Sequence, residues 1–139
     1  MSAASNYTEN NVINALLRGE AFPLPAATYV SLHTSNPGET GGGEVSTADW
    51  PSYVRRDAAL GSTIENGWTE PTDGTCTNAL QLLYPSNNGA AAITITHWAL
   101  YDAPTGGNML LYAPLNTART MQPGDVFVFD AGALTVQVL

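Results

Sequence analysis

The sequence predicts a mainly β protein: a single-domain antiparallel β-sandwich or small barrel of about seven strands with one short N-terminal helix. Three observations carry this prediction. Apolar and polar residues alternate in short runs such as Tyr29–Thr34 and Leu134–Val138, the period of a half-buried strand. Clusters of Gly, Pro, Asn and Ser punctuate those runs at spacings typical of sandwiches and barrels. Helical spacing occurs only in the first twenty residues.

In the helix, Val12 and Leu16 are four apart, as are Ile13 and Leu17. They form one apolar stripe. Asn6 with Glu9 three residues later resembles a capping box. Gly19 sits where a left-handed residue stops a helix. A helix this short must dock to persist, either on its own domain or on a neighbouring subunit. Residues 1–20 therefore read as an N-terminal arm and helix.

The first strand is Tyr29–Thr34, with Val30 and Leu32 on one face and Tyr29, Ser31 and His33 on the other. Residues 35–51 are rich in Gly, Pro and acids and form a long surface loop. Tyr53–Leu60 reads as a strand. Residues 61–76 form a second long surface loop, anchored by Trp68. Asn78–Tyr84 follows as a strand with Leu80, Leu82 and Tyr84 on one face. Along Ile93–Asp102 the apolar parity changes between Ile95 and Trp98. That change predicts either a bulge near His97 or a strand covered on both faces. Residues 103–108 turn the chain into Met109–Leu115, and Gln122-Pro123-Gly124-Asp125 forms a β-turn. Val126–Phe129 and Leu134–Val138 make a last hairpin, with Leu134, Val136 and Val138 facing inward.

There are four arginines, no lysine and twelve acids, for a net charge of −8. Such a surface repels phosphate backbones and anionic bilayers, so neither nucleic acid nor a membrane is an expected partner. Met1–Asn6 lacks the basic and apolar regions of a signal peptide. One cysteine, Cys76, precludes an internal disulfide and suits assembly in a reducing cytoplasm.

Motifs for chemistry are sparse. His33 and His97 have no Cys, His or carboxylate neighbours at metal-ligand spacing, so no metal or cofactor is expected. Glu39, Glu44 and Asp49 lack the spacing of a calcium loop. Gly41-Gly42-Gly43 has no lysine or helix to make a phosphate loop. Cys76 has no base nearby in sequence. Asp102 beside the aromatic Trp98–Tyr101 segment is the one carboxylate that invites a glycan-active reading, although Asp is common at the start of a hairpin loop. Large side chains in the arm and loops suggest contact sites instead. Tyr7, Trp50 and Trp68 are the candidate anchors, each equally able to serve as a local core plug, joined by Arg55 and Arg56. The two arginines point to opposite faces of their strand, and one should pair with an internal or neighbouring carboxylate.

Several segments in order add a resemblance. They include Asn6-Tyr7 with Glu9-Asn10, Leu16–Gly19, Tyr29–Pro37, Gly43–Ser46, Tyr53–Arg55, His97–Ala103, Gly106–Asn108, Gly124-Asp125 and Ala131–Val136. This set resembles a family of small tailed-bacteriophage virion structural proteins, loosely labelled tail fibre or capsid decoration proteins. Thr47–Pro51 departs from the pattern and reads as a contact loop of its own. The resemblance implies a virion protein and supplies no catalytic residues, so no enzyme is expected. The first expectation is a capsid decoration (cement) protein on the capsid surface. Its partners would be the major capsid protein and neighbouring copies of itself, assembled in the host cytoplasm. The alternative is a tail-fibre or tail-tip component that binds a host-surface glycan. A third reading, a glycan-active enzyme, requires two carboxylates facing each other across a cleft.

Overall fold

The computed structural model describes residues 1–138. The elements run β1 (Ala3–Ala4), α1 (Asn6–Leu17), β2 (Tyr29–His33), β3 (Arg56–Asp57), a 3₁₀ turn (Ile64–Gly67), β4 (Thr75–Thr77), β5 (Leu82–Leu83), β6 (Ile93–Tyr101), β7 (Met109–Met121), β8 (Val128–Phe129) and β9 (Thr135–Gln137). Five strands form one antiparallel sheet in the order β1-β7-β6-β2-β3, while β4-β9 and β5-β8 are separate pairs. The architecture is a sandwich, not a closed barrel.

One hydrophobic cluster fills the space between the large sheet and the smaller layer. Val30, Leu32, Trp98 and Leu100 come from the sheet; Leu82, Tyr84, Phe127, Phe129 and Leu134 come from the opposite side. Tyr84, Phe127 and Phe129 pack edge to face, with centroids 4.9–6.1 Å apart, the favoured geometry for aromatic quadrupoles. The Tyr84 hydroxyl donates to the Val30 carbonyl at 2.8 Å, tying the two layers together.

Both explanations offered for the parity change along β6 hold. Ile95 pairs with Arg119, but His97 pairs with Pro114. Thr96 alone therefore opposes Leu115 to Ala118. This bulge flips the phase, so Ile93 and Ile95 join Trp98 and Leu100 in the same core. The far face is covered too: Ser31 and His33 are fully buried, and Ala99, Tyr101 and Met109 form a second small cluster there.

Several expected boundaries move. Only Arg56 and Asp57 of the expected Tyr53–Leu60 strand pair with β2. Beyond them the Asp57 carboxylate accepts from the Ala59 and Gly61 amides and rolls the chain into a turn. Asn78–Tyr84 contributes only Leu82–Leu83 as strand, because Asn78 uses its hydrogen-bonding groups on a loop. Its amide nitrogen donates to the Leu80 and Asp130 carbonyls, and its oxygen accepts from the Leu134 amide. The turn at Ala131-Gly132 is present, but β8 pairs with β5 and β9 with β4, so it joins no hairpin. Val138 points to solvent rather than inward.

The helix differs most from expectation. Its N-cap is Ser5, not Asn6: the Ser5 hydroxyl accepts from the Thr8 amide at 3.2 Å and donates to the Met109 carbonyl. Gly19 does adopt the left-handed conformation, φ +68°. No residue of α1 is buried. Tyr7, Thr8, Asn11, Asn14 and Ala15 are its half-buried positions, while Val12, Ile13, Leu16 and Leu17 are exposed. The apolar stripe thus points away from the protein's own core.

Candidate interaction surface

Arg55 is held at the meeting point of three loops. Its Nε and Nη2 donate to the two Glu44 oxygens at 2.9 Å each, a bidentate fork. Nη1 donates to the Ala103 and Gly106 carbonyls at 2.8 Å each. The guanidinium carbon lies 3.6 Å from the centre of the Tyr101 ring, within cation–π range. The Tyr53 hydroxyl donates to Glu44 Oε2 at 2.7 Å and accepts from the Leu32 amide at 3.0 Å. One arginine thereby pins the first long loop, the strand-end segment and the β6–β7 turn.

The electrostatics follow from this packing. Burial pushes the Glu44 carboxyl up, but the Arg55 and Tyr53 hydrogen bonds outweigh it and hold the group below its ordinary range. Burial works against the Arg55 charge as well, yet Glu44 keeps its pKa above the usual value. Tyr53 is driven up, first by burial and then by the Glu44 charge.

His33 lies beside this network, stacked parallel to Tyr101 with centroids 6.4 Å apart. Its Nδ1 is 2.6 Å from the Gly42 carbonyl and must donate to it, because a carbonyl can only accept. Nε2 faces the Ser31 hydroxyl at 2.8 Å. Burial lowers the His33 pKa more than the Gly42 carbonyl and Glu44 raise it. His33 and His97 are direct cross-strand partners. Among the described residues, no group of three His, Cys, Asp or Glu side chains comes together.

The residues singled out from sequence do not form one patch. Trp50 is fully buried, with its indole NH donating to Ser52 Oγ (3.1 Å) and the Ser86 carbonyl (3.0 Å). It is a core plug, so the Thr47–Pro51 insertion closes the sandwich and offers no Trp50 surface for contact. Trp68 is half-buried against the core and donates to Thr28 Oγ1 at 3.0 Å. Tyr7 is half-buried at the start of α1. Arg55 keeps only 7% of its side chain exposed and commits four of its five N–H donors within the chain. Arg56 is half-buried, and its Nε has no partner.

Asp102 behaves as a turn residue: its two oxygens accept from the Asn108 amide and side chain at 2.7 and 2.9 Å. Cys76 lies half-buried in β4 with its thiol pKa raised by burial, the reverse of an activated thiol. A hollow of about 280 Å³ opens between the β7 bulge and β9. Arg119 is its one charged side chain, and its Nη1 already donates to the Val128 carbonyl. Two buried amides, Asn78 and Asn87, do much of the loop fixing and were missed from sequence. Asn78 at the head of the mostly apolar Ala79–Leu83 run was a weak signal; Asn87, inside the polar turn 85–89, gave none.

Residues 3–137 match the family described as Podophage GP4 fiber I protein gp80. The chain belongs to this family. It is a phage virion structural protein, as its resemblance implied, and the family is named for a fibre. A search of curated proteins finds no match. No helix among the described residues is long and apolar enough to cross a membrane.

Proposed function

We propose that this gp80-family chain is a non-catalytic building block of a tail fibre, placed in the virion through contacts with copies of itself and neighbouring virion proteins. The observation that carries the reading is the family match over nearly the whole chain, since that family is described as a fibre protein. It favours the alternative over the capsid decoration role expected first, with the major capsid protein as partner.

Two features support a structural role over a glycan-active one. Asp102 is committed to the β6–β7 turn, and Glu44 to the Arg55 fork. No carboxylate lines the hollow beside β9, whereas glycoside hydrolysis needs two. Trp98, at the floor of that hollow, is almost fully buried. It presents no open ring on which a sugar could stack, so glycan recognition is not part of the proposal.

Counting copies per purified virion by quantitative mass spectrometry, with gold-labelled antibody to locate them, tests the placement. A small copy number confined to the tail is expected. Hundreds of copies over the head would replace the fibre with the decoration role. Incubation with host envelope polysaccharide should release no new reducing ends. Release that disappears in Asp102→Asn would overturn the non-catalytic reading.

A further inference from the structure

The bulge in β7 is longer than its packing task requires. Thr96 faces the four residues from Leu115 to Ala118, yet one extra residue would have reversed the phase between Ile95 and Trp98. The surplus forms a wall: Leu115, Asn116 and Thr117 line the hollow of about 280 Å³ that β9 closes from the other side. Bulges re-aim side chains at sites, and here that side chain is Arg119. Its cross-strand partner Ile95 lies in the core, so Arg119 reaches across the open edge of the sandwich. Nη1 donates to the Val128 carbonyl at 2.8 Å, and the guanidinium carbon lies 5.0 Å from the Phe127 ring centre. These two contacts fix the group and leave its Nε–Nη2 edge without a partner among the described residues. That edge is the fork that fits a carboxylate. We propose that the hollow binds a hydroxylated monocarboxylate, the size of one sugar-acid residue, with its carboxylate on Arg119.

Charge and lining select this chemistry. The chain carries twelve acids, but none lines the hollow. A single guanidinium balances one carboxylate. A phosphate dianion or a polyanionic strand would keep excess charge against a chain of net −8. Around the arginine stand Asn116, Thr117, Thr135 and Gln137, whose amides and hydroxyls both donate and accept. None of these four side chains bonds to another described residue, whereas the buried Asn78 and Asn87 are engaged by the chain itself. They suit a ligand that carries several hydroxyls. A volume at the lower limit of small-molecule pockets admits one ring and not a chain of them. Trp98 and Phe129 lie below, nearly closed to solvent, so ring stacking contributes nothing and a neutral sugar has no grip. The site stands independently of tail or head placement.

Titration of the full chain with sodium glucuronate, followed by amide shifts in heteronuclear NMR, tests the site. Saturable shifts at Asn116, Thr117, Arg119 and Thr135 are expected. Glucose and acetate should each bind about tenfold more weakly, because each lacks one of the two recognised groups. Arg119→Lys keeps the charge but loses the fork, and should also weaken glucuronate by about tenfold. Asn116→Ala changes an exposed side chain; it should weaken glucuronate less and leave acetate unaffected. A wild-type chain without saturable shifts at these residues overturns the site. An equal response to acetate reports an adventitious ion only and overturns it too, as does an equal response to glucose or full affinity in Arg119→Lys. A glutamate-containing peptide that outcompetes glucuronate would assign the hollow to another chain's carboxylate and overturn the ligand. Failure of the site leaves the virion placement, read by copy number, untouched.

Discussion

Arg55 and Glu44 show how a chain with few charges uses a pair of them. The bidentate fork is almost closed to solvent on the arginine side, and two backbone carbonyls accept from Nη1. Removing one partner leaves the other charge uncompensated. Glu44→Gln should therefore cost about 3 kcal/mol, read as a lowered denaturant midpoint with an unchanged slope. Arg55→Lys should recover only part of the Arg55→Ala loss, because an ammonium cannot fork a carboxylate and reach two carbonyls at once. His33 adds a pH dependence. Burial, its largest influence, puts the folded pKa below the unfolded value of about 6.5, so the unfolded chain takes up the proton more readily. Stability is then level above that value and declines as pH drops from it through the folded value. Thermal melts between neutral and mildly acidic pH should show this decline, and His33→Asn should flatten it. The sequence reading expected an arginine of this strand to find a carboxylate. It had no means to choose Glu44 over Glu39 or Asp49, since the choice depends on how the glycine loop folds back.

Among the elements, α1 and the arm before it separate cleanly. Ser5 is buried and bonded to the Met109 carbonyl, and Ala3–Ala4 pair with Leu111 and Tyr112. Removing residues 1–19 would thus strip an edge strand as well as a helix, and should lower the melting temperature in addition to weakening assembly. Surface changes at Leu16 and Leu17 isolate the helix's contribution. Loop glycines show the reverse situation, where a small change is costly. A Cβ at Gly89 would collide with the Asp49 carbonyl, so Gly89→Ala should destabilise by about 1–3 kcal/mol through forced backbone shifts; a urea titration reads this directly. Alternation made β2 and β6 legible, with Val30, Leu32, Trp98 and Leu100 landing on the core. Strands of two or three residues such as β3, β5 and β8 lie below what periodicity can resolve. The orientation of α1 was not legible either, because a stripe identifies a face and not the body it faces.

Across the whole molecule, the depressed Glu44 and His33 values act in the same direction. Glu44's contribution is full above its unfolded pKa and disappears as pH falls through the folded one. The isolated protein should consequently be acid-labile in two stages, His33 first and Glu44 at lower pH, visible as a biphasic fall of melting temperature with pH. The sandwich class and the virion setting were readable from alternation and from the ordered motifs. The partner assignments of β8 and β9 were not, because they depend on buried amides such as Asn78 that fix loops across 52 residues of chain. Ser2 ties the residues before β1 to β9. Its hydroxyl donates to the Gln137 carbonyl at 3.3 Å and accepts from the Gln137 amide at 2.8 Å. Residues 2 and 137 therefore lie side by side. A short peptide bridge between them, with the backbone reopened at the exposed Glu70-Pro71 loop, away from the Arg55 contacts, should yield a circular permutant that reaches the same architecture.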